Sequence, residues 1–324
     1  MIVSAAALAL ALAGIDLRRV GEALARARYS YLVPAGASML CYLFGRAVRW
    51  RLLLGRRVSL VRAFWITCIG YLVSNVLPFR LGDPARAVVV GRDEAVSTAA
   101  ALSTVVVERI LDMMMVALML AAVLPFVREV EWARAAGFSG GAVAVVALVL
   151  LVLFARWPKV GRRILRWGLA RIPRIDGERR DRWTAALSGL LDGLASLGDP
   201  RRAIAICVWS VVTWAFVVGY YWAMLGAFLD GPSLAMGVFL TCAIGLGMAI
   251  PSAPGAVGVF HQVARYALVA PFAVLEEDAL TVAFAAHAFQ YLGVCVLGLV
   301  GLARESVSLG WVRARIAQEE KGDA

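Results

Sequence analysis

Three ionisable side chains lie deep inside one apolar stretch of this sequence. Glu108, Arg109 and Asp112 belong to residues 96–127, twelve or more positions after the start of that stretch. Glu108 and Asp112 are four residues apart, so a helix places them on one face, and Arg109 lies about 100 degrees around the helix from Glu108. Charged groups inside apolar segments are costly and commonly mark a substrate or ion pathway. These residue types can bind a charged ligand or neutralise one another.

A second group of charged residues precedes this stretch. Arg80 and Arg86 flank the sequence Gly82-Asp83-Pro84. Asp83 suits the N-cap of a helix and Pro84 suits its first position, so we predict that a helix begins at Pro84. The positive end of its dipole favours a phosphate, and arginine binds phosphate in a bidentate manner. The alternative is that both arginines only anchor a cytoplasmic loop.

The carboxylates of residues 96–127 allow two interpretations. In the structural one, Glu108 or Asp112 pairs with Arg80 or Arg86 and holds two segments together. In the functional one, the same pairing lies at a substrate site and yields an arginine to an anionic headgroup. The two interpretations overlap, and the functional one is favoured because buried charges usually serve a pathway.

Two stretches, residues 74–86 and 250–260, interrupt apolar sequence with proline and glycine, the residues that stop helices. They occupy comparable places in the two halves of the chain, and paired interruptions of this kind point to the binding site of a transporter. The backbone groups that they free are tolerated in a membrane only when they are buried in protein or line a wet cavity. The positions assigned to these turns, as hairpin or gate residues, are Asn75, Pro78, Pro251, Pro254, Gly255 and Gly258.

Three polar residues of the second half complete the candidate set. Gln290 follows the second interruption as Glu108 follows the first, and we include it in the gate. An interhelical hydrogen bond is the alternative for Gln290. The histidines of the chain, His261 and His287, lie on apolar segments, where a polar helix contact is the first interpretation and a proton relay the second.

Composition sets the class of protein. The chain has 324 residues, is 62% hydrophobic and has a mean hydropathy of +0.80, which is typical of an integral membrane protein. The net charge of +11 comes from arginines between apolar runs, which favours anchors beside anionic lipid over nucleic-acid binding. The five cysteines have no paired spacing, and no nucleotide-binding, metal-binding or nucleophile motif is present. We therefore expect neither an enzyme nor a cofactor or metal.

Hydropathy predicts an all-α polytopic membrane protein that forms a single transmembrane domain, residues 1–324. We expect about six full spans, since a span needs about 20 residues, and two re-entrant helical hairpins at residues 60–92 and 234–275. The first repeat is about 31–127, a connecting span and basic segment occupy 139–202, the second repeat is about 203–302, and 303–324 is a polar tail. The predicted spans are 1–15, 31–48, 96–127, 139–155, 203–229 and 279–302.

Charge placement gives the orientation. Arginine clusters in residues 46–62 and 156–202 are both expected on the cytoplasmic side. Both can lie there only if residues 60–92 enter the membrane and return. The second hairpin then enters from the outside, the C-terminus is cytoplasmic, and the two halves form an inverted repeat.

Three motifs in this order resemble the transmembrane region of lysylphosphatidylglycerol synthases. The resemblance covers nearly the whole chain. The motifs are Asn75-x-x-Pro78-x-Arg80-x-Gly82-Asp83-x-x-Arg86, Val107-Glu108-Arg109-x-x-Asp112 and Ile250-Pro251-x-x-Pro254-Gly255-x-x-Gly258-x-Phe260. The resemblance implies an inner-membrane protein that moves a lipid between leaflets. Bifunctional members carry an aminoacyltransferase domain after the membrane part, whereas this sequence has a short polar tail, so we expect no aminoacylation by this chain.

The sequence thus predicts a flippase-like transporter of an anionic phospholipid or a polyprenyl-phosphate-linked lipid. Arg80, Arg86 and Arg109 would hold the phosphate, and Glu108 and Asp112 would balance their charge in the empty site. The segment 251–258 would gate the outer side. The alternative is a non-transporting membrane partner of a lipid-modifying or glycosyltransferase enzyme.

Overall fold

The computed structural model describes residues 26–77, 81–92, 96–127, 198–248 and 254–321, together with isolated positions in 18–25 and 142–167. Within these residues the regular secondary structure is helical, without strands. This confirms the predicted all-α class. The predicted span 1–15 lies outside the described residues, and so do 139–155 and most of 156–202 apart from isolated positions.

The helices follow one another in the same pattern in the two halves: long, short, short, long. A further helix ends the described chain. The helices are α1 Leu32–Leu53, α2 Leu60–Val76, α3 Gly82–Gly91, α4 Thr98–Val123, α5 Pro200–Phe228, α6 Leu234–Gly247, α7 Val259–Phe272, α8 Glu276–Arg304 and α9 Leu309–Lys321.

Four segments of the described chain are long and apolar enough to cross a membrane: Tyr29–Leu53, Thr98–Phe126, Pro200–Phe228 and Glu276–Arg304. The helices between them are shorter. The helices α6 and α7 have 14 residues each, or about 21 Å at about 1.5 Å per residue, against a hydrocarbon core of about 30 Å. The short helices coincide with the two predicted hairpins, and their re-entry from opposite sides stays a prediction.

Local sequence explains where several helices begin. Ser59 starts α2 by accepting a hydrogen bond from the backbone of Arg62, and Ser233 starts α6 by accepting one from the backbone of Met236. Ser97 caps α4 in the same way. Such caps satisfy backbone N–H groups that the first helical turn leaves unpaired. The first arm of each predicted hairpin therefore starts with the same device.

The turn of the second hairpin requires glycine. Gly255, Ala256 and Gly258 all have positive φ, at 67, 53 and 89 degrees. L-residues rarely adopt this conformation, whereas glycine does so freely. A Cβ atom at Gly255 would also lie 2.8 Å from Cε2 of Tyr291. The helix pair α6–α7 is therefore separated by a break that the local sequence specifies.

The pattern of contacts between helices stays the same when each helix is exchanged for its counterpart in the other half. The first long helices, α1 and α5, pack against each other. The first hairpin arm α2 packs on α8 as α6 packs on α4, and the pairs α2–α3 and α3–α4 have counterparts in α6–α7 and α7–α8. A two-fold relation between repeats produces such a pattern. Their opposite orientation in the membrane remains predicted.

The predicted polar tail contains a docked helix. Val312 and Ile316 of α9 are buried against the hydrophobic cluster that includes residues of α2 and α3. Arg92, at the end of α3, stacks over the ring of Trp311 at 5.9 Å. One apolar face of α9 accounts for this packing. The prediction of a polar tail at 303–324 did not include this packing, for which the signal is the spacing of Val312 and Ile316 four residues apart.

Candidate functional site

Charged side chains from three helices converge where α1, α3 and α4 meet. Most of them are almost completely buried. Buried charges are tolerated when they are paired and hydrogen-bonded. The members are the guanidinium groups of Arg46, Arg49, Arg86 and Arg109 and the carboxylates of Asp83, Glu108 and Asp112.

Asp112 lies at the centre of this network. Its Oδ2 lies 2.8 Å from Nη1 of Arg46, and its Oδ1 lies 2.8 Å from Nη2 of Arg49. Trp214 of α5 donates its Nε1–H to Oδ1 at 3.1 Å. Nη1 of Arg109 is farther from Oδ2, at 3.6 Å. Asp112 therefore joins three long helices through one carboxylate.

Glu108 pairs with the first hairpin. Its Oε2 lies 2.8 Å from Nη2 of Arg86, although the angles at this contact do not meet hydrogen-bond geometry. Its Oε1 accepts a hydrogen bond from Nη2 of Arg49 at 3.0 Å. The guanidinium of Arg86 also lies 4.2 Å above the ring of Trp50, a cation–π arrangement. The expected pairing of Glu108 with Arg86 is thus present.

Arg46 and Arg49 were interpreted wrongly as cytoplasmic anchors. The helix α1 continues to Leu53, beyond the predicted end at residue 48. Arg46 is 8% exposed and Arg49 is fully buried. Their positions on α1, together with Tyr42, follow a spacing of four and then three residues, which defines one helix face. That spacing is the signal that could have assigned them to the interior.

Arg109 is the accessible cation of the network. Its side chain is 41% exposed and that of Asp83 is 30% exposed. Nε of Arg109 donates to Oδ2 of Asp83 at 2.8 Å, and Nη2 donates to Oδ1 at 2.6 Å. The predicted N-cap role of Asp83 was wrong: α3 begins at Gly82, and Leu81 is the N-cap. The carboxylate of Asp83 is engaged by a guanidinium group instead.

Gly82 permits a close approach of the two arms of the first hairpin. A Cβ atom at Gly82 would lie 2.1 Å from the backbone oxygen of Gly70 and 2.1 Å from Oγ of Ser74. A Cβ atom at Gly70 would lie 2.6 Å from Cγ of Arg86. Paired small residues allow such contact between membrane helices. This contact places the Arg86 side chain against α2.

The network carries more positive than negative charge. Four guanidinium groups face three carboxylates among the residues that the structure describes, an excess of one positive charge. The buried Nε atoms of Arg46, Arg49 and Arg86 have no hydrogen-bond acceptor within this part of the chain. Unsatisfied buried donors are costly. An anion bound nearby would offset both costs.

A cavity of about 500 Å³ adjoins the network, and residues of α1 to α8 line it. Its lining includes the side chains of Arg46, Arg86 and Arg109 and aromatic rings such as those of Trp214 and Tyr221. Sites for small ligands combine apolar walls with a few convergent polar groups. The sequence-predicted site residues that line the cavity are Asn75, Asp83, Arg86, Arg109, Asp112, Gly255 and Gln290.

Gln290, which also lines the cavity, connects three helices. Its Nε2 donates to the hydroxyl of Tyr42 at 3.0 Å, and its Oε1 accepts from the hydroxyl of Tyr221 at 3.4 Å. The interhelical hydrogen bond considered for Gln290 is therefore present. Asn75 donates to Sγ of Cys295 at 3.8 Å, which ties the end of α2 to α8.

The remaining candidates lie elsewhere. Pro254 and Gly258 bound the turn before α7, and the backbone N–H of Gly258 donates to His261. Pro78, Arg80 and Pro251 lie outside the described residues. Among described positions no group of three His, Cys, Asp or Glu side chains could hold a metal ion.

Comparison with known proteins identifies the family. The family model described as the lysylphosphatidylglycerol synthase TM region matches residues 1–298. No curated protein and no solved structure matches the chain. The matched family is a membrane domain associated with lipid handling and is the non-catalytic membrane part of those synthases. The chain therefore belongs to the lysylphosphatidylglycerol synthase transmembrane-region family.

Proposed function

We propose that the protein is a flippase-like transporter that moves an anionic phospholipid or a polyprenyl-phosphate-linked lipid between the leaflets of the bacterial or archaeal inner membrane. The observation that carries this proposal is the cavity at the junction of the two short-helix pairs, bordered by buried arginines with an excess of positive charge. A site of this charge inside apolar helices is expensive unless an anion occupies it.

The phosphate would bind first to Arg109. This side chain is the most exposed guanidinium of the network, and its two-pronged contact with Asp83 has the geometry that a phosphate also uses. A phosphate in the place of Asp83 would lie in the cavity that Arg46 and Arg86 also border. A singly charged phosphate would neutralise the excess charge of the described network.

The cavity suits a headgroup better than a whole lipid. Its volume of about 500 Å³ falls within the range of small-ligand sites, about 300–1,000 Å³. The acyl or prenyl chains would remain in the surrounding bilayer, where they lose no hydrophobic stabilisation. The polar headgroup is the part of the lipid that the apolar membrane interior prevents from crossing.

Movement would come from the two hairpins. The pair Asp83–Arg109 joins α3 to α4, and the turn 254–258 contacts α2 and α8. Exchange of these contacts would open the cavity alternately towards each leaflet, as rocking of repeats does in other transporters. In this proposal the cytoplasmic side carries the basic segment 156–202 and the C-terminus.

Lipid identification tests the proposed ligand. Mass spectrometry of gently purified protein is expected to find an anionic lipid retained by the unmodified chain and by Arg315→Gln, which changes a partly exposed arginine of α9. Arg109→Gln is expected to retain about tenfold less, since one charged hydrogen-bonded contact contributes about 1.5–3 kcal/mol. Retention that is equal in all three proteins would overturn the ligand assignment.

The alternative, a non-transporting partner of a lipid-modifying or glycosyltransferase enzyme, predicts a different result in vesicles. Such a partner would retain the lipid without moving it. Reconstituted protein that binds an anionic lipid yet leaves its leaflet distribution unchanged would favour this alternative.

A further inference from the structure

The two histidines form a chain of hydrogen bonds across the turn of the second hairpin. The backbone N–H of Gly258 donates to Nδ1 of His261 at 3.2 Å. Nε2 of His261 lies 3.3 Å from Nδ1 of His287. His287 is also hydrogen-bonded to the backbone of Gly255. The chain therefore starts and ends on the positive-φ turn and passes through α7 and α8.

The donors and acceptors along these hydrogen bonds determine which ring nitrogens of the two histidines carry a proton. A backbone N–H can only donate, so Nδ1 of His261 is unprotonated and its proton resides on Nε2. That Nε2–H then donates to Nδ1 of His287, which leaves Nε2 of His287 to carry the second proton. Both rings are neutral in this arrangement, and every link is made.

Aromatic side chains pack against both histidine rings. His261 is 3% exposed and stacks on Phe284, with ring centroids 4.0 Å apart. His287 stacks on Phe260 at 4.5 Å and reaches the cavity. Both rings are therefore held by aromatic neighbours, and one of them faces the site that we propose for the ligand.

Titratable groups near the pair are few. On α7, Arg265 is paired with Glu276 at the start of α8. On α8, Tyr291 is one turn beyond His287, with ring centroids 6.1 Å apart, and on α5 Tyr221 contacts Phe260. Among the described residues no unpaired carboxylate faces the two rings, and residues 249–253 contain no titratable side chain in sequence. A proton gained by the pair would have no anionic partner from these elements.

We propose that His261 and His287 form a proton-binding site whose counter-charge is the anionic ligand of the cavity, and that proton uptake breaks one of the hydrogen bonds that link the turn 254–258, α7 and α8. This inference rests on the proposed function for the identity of that counter-charge. It adds a coupled proton and a mechanism for opening the second hairpin.

Proton uptake must break the hydrogen-bond chain. A proton on Nδ1 of His261 would face the N–H of Gly258, and a proton on Nδ1 of His287 would face the Nε2–H of His261. Two donors then oppose each other in either case, and one link is lost. The proton comes from water in the cavity and returns there when the ligand leaves, so no other reactant is needed.

Ligand and proton would therefore bind together. A unit negative charge about 10 Å from the pair stabilises the protonated form by roughly one pH unit at an effective dielectric constant of about 20. The loaded transporter would open its second hairpin more readily than the empty one. The stored energy of a proton gradient could then drive the lipid in one direction.

Nuclear magnetic resonance can observe the pair directly, since the chain contains two histidines only. Protein labelled with nitrogen-15 histidine would be titrated in nanodiscs of phosphatidylcholine, with and without phosphatidylglycerol. Hydrogen exchange of residues 254–258 would be followed over the same pH range. The matched protein is Arg109→Gln, which experiences the same membrane surface potential but lacks the main ligand contact. Asp83→Asn is a second variant, in which Arg109 is released for the ligand.

We expect phosphatidylglycerol to raise the titration midpoint of the pair by about one pH unit in the unmodified chain and in Asp83→Asn, and not in Arg109→Gln. Exchange at 254–258 should increase with the same midpoint. A midpoint that is unchanged although mass spectrometry finds the lipid bound would overturn this inference and leave the proposed function standing. An equal increase in Arg109→Gln would also overturn it, because surface potential alone would then be the cause. Absence of any bound lipid would overturn the proposed function and this inference with it.

Discussion

Arg109 and Asp83 form a two-pronged ion pair between α4 and the first residues of α3, with N–O distances of 2.8 and 2.6 Å. The partners are more exposed than the other charged groups of the network. A carboxylate and a phosphate compete for the same face of a guanidinium group. Asp83 would therefore compete with the proposed anionic ligand for the guanidinium group of Arg109.

Removal of that competitor should strengthen lipid retention. In Asp83→Asn, Arg109 loses its carboxylate partner, and we expect up to about tenfold more anionic lipid per protein, in line with about 1.5 kcal/mol for one charged hydrogen-bonded contact. The measurement is quantitative mass spectrometry of lipids after purification. The matched control is Asp230→Asn, an exposed carboxylate paired with Arg28 at the surface. Equal or reduced retention in Asp83→Asn would show that Asp83 does not compete with the ligand.

The buried ion network predicts a specific rescue. Glu108→Gln leaves Arg86 and Arg49 without one carboxylate, and breaking a buried ion pair costs about 3–5 kcal/mol. The double variant Glu108→Gln/Arg86→Gln removes one charge of each sign and should recover much of the lost stability. Thermal unfolding in detergent measures both.

A surface pair provides the comparison for that experiment. Arg315 and Glu319 of α9 are 3.9 Å apart and partly exposed, at 42% and 30%, and pairs near the surface contribute about 0–1 kcal/mol. Glu319→Gln should therefore leave the melting temperature nearly unchanged. A double variant as unstable as Glu108→Gln alone would contradict the assignment of Arg86 as the partner of Glu108.

The sequence located most of this network but not all of it. Glu108, Arg109 and Asp112 were recognisable because they interrupt an apolar stretch, and Asp83 and Arg86 because they surround a glycine and a proline. Arg46 and Arg49 were not recognised, because they lie beside the arginines at positions 51, 56 and 57, which resemble membrane anchors. The packing of α1 against α4 and α5 distinguishes the buried arginines from the exposed ones, and in the sequence their spacing from Tyr42 is the signal for it.

Identifying the ionic partner of each charged side chain also required the fold. Asp83 satisfies the sequence preferences of an N-cap, yet its carboxylate binds Arg109, which lies 26 residues later. Local preference contributes about 1 kcal/mol at such a position, and a bidentate contact with a guanidinium group is stronger. The helical pattern, long–short–short–long in each half, was in contrast predictable from hydropathy and from the placement of proline and glycine.

The turn of the second hairpin can be tested by comparing two glycines of similar conformation. Gly255 and Gly231 have φ values of 67 and 61 degrees, but a Cβ atom meets the ring of Tyr291 at the first and open space at the second. Substitution by alanine imposes a similar backbone cost of about 1 kcal/mol at each. We expect Gly255→Ala to slow lipid movement in vesicles and Gly231→Ala to leave it unchanged.

The double variant Pro254→Ala/Gly255→Ala extends this test. It removes both helix-breaking residues and favours a continuous helix through 245–265. Membrane insertion and expression should persist, since alanine is well tolerated in membrane helices, while lipid movement falls. Transport at the normal rate would mean that this turn is not the gate, and the search would move to the first hairpin alone.

Chemical labelling tests the predicted orientation. In a cysteine-free background, Arg57→Cys should react with a membrane-impermeant thiol reagent only from the cytoplasmic side, because the positive-inside rule places the exposed arginines of the α1–α2 connection there. Asp230→Cys, in the linker between α5 and α6, should react only from the outside. Labelling of Arg57→Cys from outside would refute the re-entrant assignment of the first hairpin.

Lipid movement by the purified protein is the most direct test of the account. Vesicles would contain a fluorescent phosphatidylglycerol in both leaflets, and a membrane-impermeant quencher would report the fraction that reaches the outer leaflet. We expect the unmodified protein and Arg315→Gln to expose the inner-leaflet probe, and we expect Arg109→Gln to do so at about one tenth of that rate, as loss of one charged contact implies. A phosphatidylcholine probe with the same fluorophore should move more slowly. Equal rates for the two probes, or a normal rate in Arg109→Gln, would contradict a transport site built on the arginines of this cavity.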